Sequence, residues 1–269
     1  MRQIETFFAL NPVFTVRLAK LYLKHHTGSI SKILYYHHKK GRIILIRKGL
    51  YYVVPPGAIA QNCPIDAYLI ASKLSEDSVL AYHTALELHG NAHSVRYELQ
   101  YMTKRRTKKS FMFRDYTFHA VSIPSALVKA KKTNFGIMSV ERLGVKIAVT
   151  TLERTFVDIL DRPHLTGSWE EIWKSFENIE YLDINEVIQY SLLLSNRLTI
   201  TKVGYFLDTH RDQLRVSDEQ LKKLQEHSLH KPRYLERFPK GPQKLIHAWN
   251  LIVPLALHER HWEEPHGNF

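Results

Sequence analysis

The chain has 269 residues, 44% of them hydrophobic, with 11 Gly and 11 Pro, enough apolar material for a real core and too little punctuation for a fibrous or disordered polymer. Its 38 Lys and Arg against 26 Asp and Glu give a formal charge of +12, which favours a polyanionic partner. A single cysteine, Cys63, excludes an internal disulfide framework and a cysteine-rich zinc site, and implies a reducing, cytoplasmic setting.

The elements are read in chain order. Residues 4–10 predict a short helix with Ile4, Phe7 and Phe8 inward, stopped by Asn11-Pro12. Thr15 is a cap for a second helix reaching about Lys24, and Thr27-Gly28-Ser29 is a turn into a third, over about 29–39, closed by Gly41. Residues 43–46 and 50–54 are β-rich runs around Arg47-Lys48-Gly49, a hairpin with a basic tip. Three helices followed by a two-stranded ribbon is the order of a winged helix-turn-helix.

Pro55-Pro56-Gly57 closes this head. The expected organisation is a winged helix-turn-helix over 1–57, a linker over 58–65 and a mixed α/β domain over 66–269, an α+β chain overall. In the second part, 66–74 and 78–89 read as helices. Residues 97–103 and 116–122 read as strands around a basic loop, and 145–149 as a further short strand. Thr150 or Thr151 caps a helix carrying Phe156, Val157, Ile159 and Leu160. Helical patterns follow at 169–176, 184–194, 199–210 and 216–227, and a strand at 249–254. The longest apolar runs, 43–46 and 251–257, are too short for a bilayer, so the expectation is a soluble protein with no membrane partner.

The charge is segregated. Residues 1–60 carry +9 with Glu5 as their one acid, 61–150 carry +6, and 151–269 carry −3. On the third helix, Ile30, Ile33, Leu34 and His37 share one arc at 100° per residue, so Lys32, Tyr35, Tyr36 and Lys39 fall on the other. That second arc combines positive charge, hydroxyl donors and aromatic edges, the chemistry of phosphate contact and groove reading. Ser29 and Ser31 at its start suit a phosphate. Lys40, Arg42, Arg47 and Lys48 are further candidate contacts to double-stranded DNA, at the junction and the ribbon tip. Lys104, Arg105, Arg106, Lys108 and Lys109 form a second basic cluster, either a phosphate contact or a dock for an acidic partner, and alternatively a solvated hairpin tip.

Signatures of catalysis are sparse. No glycines are spaced for a nucleotide loop, and His258 and His261 lie three apart, not at the spacing that puts two imidazoles on one zinc. Ser29–Lys32 matches SxxK but has no second motif. Glu98 and Asp115 sit at strand positions without the Glu-x-Lys of a nuclease; Asp158 and Asp161 read as helix-surface or ion-pair residues, and Glu170 and Glu171 as acids at the start of an amphipathic helix. The expectation is a non-enzyme without metal or cofactor. A protein-interaction module with only nonspecific DNA binding is the main alternative, and a metal-dependent nuclease the weaker one.

Several segments together resemble the AbiEi family, antitoxins of the type IV abortive-infection toxin–antitoxin systems. They are Gly41-Arg42 with Arg47-Lys48-Gly49-Leu50-Tyr51, residues 78–90 (SVLAYHTALELHG), residues 149–160 (VTTLERTFVDIL) and Trp249-Asn-Leu-Ile-Val-Pro254. The resemblance implies a winged-helix head that represses its own promoter by binding inverted repeats, and a C-terminal domain opposing a nucleotidyltransferase-type toxin. Within it, Lys32, Tyr35, Tyr36, Lys39, Arg47 and Lys48 map to DNA contact. Arg154 and Asp158, at i,i+4, map to structure.

Overall fold

The computed structural model describes residues 2–23, 29–105, 110–238 and 240–260. The chain is a mixed α+β protein that divides into two compact units, each assembled from three stretches of sequence. Unit 1 takes 1–84, 96–122 and 137–149, and unit 2 takes 85–95, 123–136 and 150–269.

Unit 1 opens with α1 (Arg2–Leu10), β1 (Val13–Thr15), α2 (Val16–Tyr22), α3 (Ile30–Lys39), β2 (Ile43–Arg47) and β3 (Leu50–Val53). The Asn11 side-chain amide donates to the Phe7 carbonyl at 2.9 Å and closes α1 where Pro12 forbids another turn. The Thr15 hydroxyl accepts from the Leu18 amide at 3.2 Å and starts α2, as its position predicts. Gly49, at φ +84°, makes the tight reversal between β2 and β3. The strands pair antiparallel in the order β1-β3-β2; β1, three residues beside a proline, carries no sequence signal of its own. Ile4, Phe7, Phe8, Phe14, Ala19, Leu23, Leu34 and Ile43 form the core, with Phe7 edge-on to Phe14 at 5.0 Å. The Lys24 end of the second helix and the turn at Thr27-Gly28 lie outside the described residues.

The stretch 58–65 is fastened within this unit. The Arg114 guanidinium donates to the carbonyls of Cys63 and Ala60, and the Tyr52 hydroxyl lies between the Pro64 carbonyl and the Asp66 amide. Residues on both sides of it therefore belong to one compact unit, and the division between units falls elsewhere.

The rest of unit 1 is α4 (Ala67–Lys73), capped by the Asp66 carboxylate, and a six-stranded mixed sheet. The strands β4 (Val79–Leu80), β5 (Glu98–Thr103), β6 (Phe111–Phe113), β7 (Tyr116–Ser122), β8 (Ile137–Arg142) and β9 (Val145–Thr150) lie in the order β6-β7-β5-β4-β9-β8. Two expectations change here. Residues 78–89 are not one helix: Val79 and Leu80 form an internal strand between β5 and β9, and Tyr82 at φ +57° separates it from the helix that follows. The runs 97–103 and 116–122 do not make a hairpin either. β5 and β7 pair in parallel over six residues, and the antiparallel partner of β7 is β6. The chain leaving β5 therefore does not turn straight back into β7; β6 comes between them in sequence.

Unit 2 holds α5 (His83–His89, whose first two residues belong to unit 1), α6 (Ser125–Lys129), α7 (Leu152–Asp161), α8 (Trp169–Glu177), α9 (Ile184–Leu194), α10 (Arg197–Thr209), α11 (Arg211–Leu214), α12 (Asp218–Gln225) and α13 (Leu255–His258). A small sheet orders β10 (Arg233–Tyr234), β12 (Leu251–Pro254) and β11 (Gln243–Ile246), β12 central. Side chains cap each long helix at its start: Thr151 on α7, Ser168 on α8, Asp183 on α9, Asn196 on α10, and a full capping box of Ser217 with Gln220 on α12. Phe156, Phe176 and Phe206 meet at centroid distances of 4.6 to 5.2 Å and, with Trp173, make the centre of the bundle. Trp249 lies against Gly204 of α10 so closely that a β-carbon there would fall within the indole ring; its Nε1 donates to Asp208 at 2.9 Å.

Candidate nucleic-acid interface

α3 divides as its periodicity predicts. Leu34 and His37 are buried, and Ile30 and Ile33 pack against the same core. Ser31, Lys32 and Lys39 face solvent, and Tyr35 and Tyr36 are 62% and 57% exposed. Tyrosine rings this exposed carry an unsatisfied apolar face and a free-standing hydroxyl on a surface that is otherwise polar. The Lys39 ammonium lies 5.7 Å from the Tyr35 ring centre, and Lys40 lies 6.0 Å from that of Tyr36, so two cations ride on the two rings. Ser29 occupies the N-cap without a side-chain capping bond and is exposed.

His37 holds this helix to its neighbours. Its ring stands edge-on to Phe8 at 5.2 Å, and its Nδ1 meets Arg42 Nη1 at 3.3 Å. Burial, then the Arg42 charge, push the imidazole pKa down. Arg42 also donates to Glu5, and that hydrogen bond holds the Glu5 carboxyl below the usual carboxylate range. The sole acid of the basic head is therefore matched within it.

The ribbon tip separates two residues that the sequence treats alike. Lys48 is exposed. Arg47 turns part of its donor set inward: it donates to the Leu74 carbonyl, and its guanidinium lies 5.5 Å from the Phe111 ring centre. On α3 and the ribbon the exposed cations are Lys32, Lys39, Lys40 and Lys48, with Arg42 and Arg47 tied down at their edges; Arg17, paired with Glu76, and Lys20 are exposed on α2.

Of the second basic cluster, Lys104 and Arg105 are exposed, and Arg106, Lys108 and Lys109 lie outside the described residues. The start of the segment is anchored by Asp77, a residue with no sequence signal. Its carboxylate accepts from the Ser75 hydroxyl at 2.5 Å, the Thr103 hydroxyl at 2.7 Å and the Lys104 amide at 2.7 Å. Burial pushes this carboxyl up, but the three hydrogen bonds outweigh it and hold it at about 2.

The acids weighed for nuclease chemistry do not converge. Glu98 is exposed with His119 at 3.8 Å, and Asp115 is an exposed residue of the β6–β7 turn. Among the described residues no group of three or more His, Cys, Asp or Glu side chains could hold a metal ion. Asp158, read from sequence as a surface acid or an ion-pair residue, is buried and paired with Arg154.

No protein-family model and no curated protein matches the sequence. Among solved structures the chain is similar to the crystal structure of the RV2827C protein from Mycobacterium tuberculosis. The TM-score is 0.64 at 15% identity, over 98% of this chain and 94% of that one. The likeness is one of fold and spans nearly the whole of both chains. No helix among the described residues is long and apolar enough to cross a membrane.

Proposed function

We propose that this protein is a sequence-specific DNA-binding repressor whose head works as a winged helix-turn-helix, and that it serves in the cytoplasm as the antitoxin to a nucleotidyltransferase-type toxin. The observation that carries the DNA-binding half is the outward face of α3, where Lys32, Tyr35, Tyr36 and Lys39 stand exposed on a helix whose other face is packed into the core. The order α1, β1, α2, α3, β2, β3, with sheet order β1-β3-β2, supports the winged-helix reading. In it α3 enters a major groove and Lys48 at the ribbon tip touches adjacent phosphates, with two copies on an inverted repeat. The antitoxin half rests on the family resemblance in the sequence and on the −3 charge of residues 151–269, which nucleic acid does not explain.

The mechanism is binding without turnover. Phosphate contacts from the lysines set register, and the tyrosines and Ser31 meet base edges. A gel shift with the DNA upstream of the protein's own gene, against a scrambled duplex of equal length, tests it. Preference for the upstream DNA, lost in a Lys32→Ala, Lys39→Ala double variant, supports the proposal; equal affinity for both duplexes supports the interaction-module alternative. Rescue of growth on co-expression with an adjacent nucleotidyltransferase gene, retained in the same double variant, tests the antitoxin role separately.

A further inference from the structure

Unit 2 contains a cleft of about 900 Å³, within the size range of small-molecule sites. Its chemistry is unlike that of a surface fold. Lys202, in the middle of α10, is 6% exposed and lines it. An ammonium has three donors, and among the described residues Lys202 makes one hydrogen bond, to the Leu160 carbonyl at 3.2 Å. It lies 5.1 Å from the Trp169 ring centre. Asp161 and Glu236 attract it from a distance, but no carboxylate pairs with it among the described residues. Burial pulls its pKa down to about 8, the response of a cation without a counter-ion.

The other walls are equally specific. Trp169, Tyr234 and Phe238 offer aromatic faces, Phe238 at 74% exposure with the Arg237 guanidinium 5.4 Å from its ring centre. Glu236, half-buried beside them, is a hydrogen-bond acceptor at the same opening. A buried cation, two further cations at the rim in Arg233 and Arg237, three ring faces and the Glu236 acceptor match a ligand with an anionic group, a planar ring system and hydroxyls.

We propose that this cleft binds a nucleoside monophosphate, its phosphate on Lys202 and Arg237, its base against the aromatic walls and its ribose hydroxyls toward Glu236. Every residue involved lies in unit 2, so the inference is independent of DNA binding by α3.

Calorimetry on the full chain with adenosine monophosphate, inorganic phosphate and adenosine as separate titrants tests it. The expected result is binding of the monophosphate at least tenfold tighter than either part. Lys202→Met should cost tenfold or more in affinity with an unchanged or higher thermal midpoint. Arg237→Ala, at an exposed position, should cost threefold or more and serves alone if the first variant fails to fold. At pH 8 the monophosphate is fully ionised, so pairing with Lys202, which faces Asp161, Trp169 and Glu236, should draw in protons and make the heat depend on the buffer. No heat at millimolar monophosphate, phosphate bound as tightly as the nucleotide, a buffer-independent heat, or unchanged affinity in the variants would each overturn the proposal.

Discussion

Arg154 and Asp158 lie one turn apart on α7 and form a 3.2 Å ion pair in which each side chain is 1% exposed. The pair is completed from three directions. The Tyr190 hydroxyl donates to Asp158 at 2.6 Å, Arg154 donates to the Phe135 carbonyl at 2.5 Å, and the Arg154 guanidinium lies 5.6 Å from the Tyr190 ring centre. Burial pushes the Asp158 carboxyl up while Arg154 opposes it. Gly136 lets the chain pass: a β-carbon there, at φ +57°, would stand 2.8 Å from that of Arg154.

Removing one partner strands the other without solvent. Asp158→Ala should destabilise unit 2 by about 3–5 kcal/mol, read as a drop in the urea midpoint. Adding Arg154→Met should recover a large part of that loss, because the uncompensated charge goes with it. A midpoint for Asp158→Ala within error of the parent would refute the role given to the pair.

Asp77 defines an acid-sensitive window. Its carboxyl titrates at about 2 in the folded chain against an ordinary 3.8, so the unfolded state takes the proton first as pH falls. The stabilisation is complete above about pH 4 and is lost as pH drops toward 2. Urea midpoints across this range should fall less steeply in Asp77→Asn than in the parent; parallel curves would mean that Ser75, Thr103 and Lys104 do not hold the charge.

On the proposed DNA-binding reading, affinity for the operator should depend on salt through few phosphates. Contacts from Lys32, Lys39 and Lys48 imply a slope of log K against log salt of about −2.7 per protomer. Fluorescence anisotropy across a salt series measures it. Lys48→Ala should reduce the slope by about 0.9, whereas Arg47→Ala should chiefly lower the thermal midpoint, since Arg47 holds the Leu74 carbonyl and Phe111. A larger slope change from Arg47 than from Lys48 would reverse that assignment.

Gly204→Ala places a methyl group inside the space of the Trp249 ring, where neither α10 nor the buried indole has room. Overpacking of this kind costs about 1–3 kcal/mol. Gly204→Ala combined with Trp249→Ala should be no less stable than Trp249→Ala alone, a comparison by thermal denaturation that isolates the clash.

Much of the helical framework is legible from residues. α9 and the Ser217 start announce themselves because caps and 3.6-residue periodicity agree, the third helix by its periodicity, since Ser29 makes no side-chain capping bond, and the β2–β3 hairpin because Gly49 sits between two β-branched or aromatic runs. Strands do not follow length in this respect: the four-residue β3 and β12 are read from the sequence, whereas the six-residue β8, with no buried residue, is not. β6, β10 and β11 are short and largely unburied, so no alternation of apolar and polar residues marks them. β4 hides at the start of the segment 78–89, since two residues, Val79 half-buried and Leu80 buried, are too few to show a period of their own. The face of α3 follows from its periodicity, but the different surroundings of Arg47 and Lys48 do not, because Leu74 and Phe111 reach Arg47 from distant parts of the chain. Lys202 is silent for the same reason: one lysine in a helix acquires its meaning from a segment some thirty residues later.

The interleaving of the two units has a consequence for synthesis. The head's elements emerge from the ribosome first, yet the sheet that shares their unit lacks β8 and β9 until residue 149 of 269 has been made. Until then β4 has no neighbour on one side and offers an open edge to any other strand. A nascent or truncated chain ending between residues 103 and 137 would therefore carry a finished head and an unfinished sheet, the combination most exposed to mispairing and to degradation.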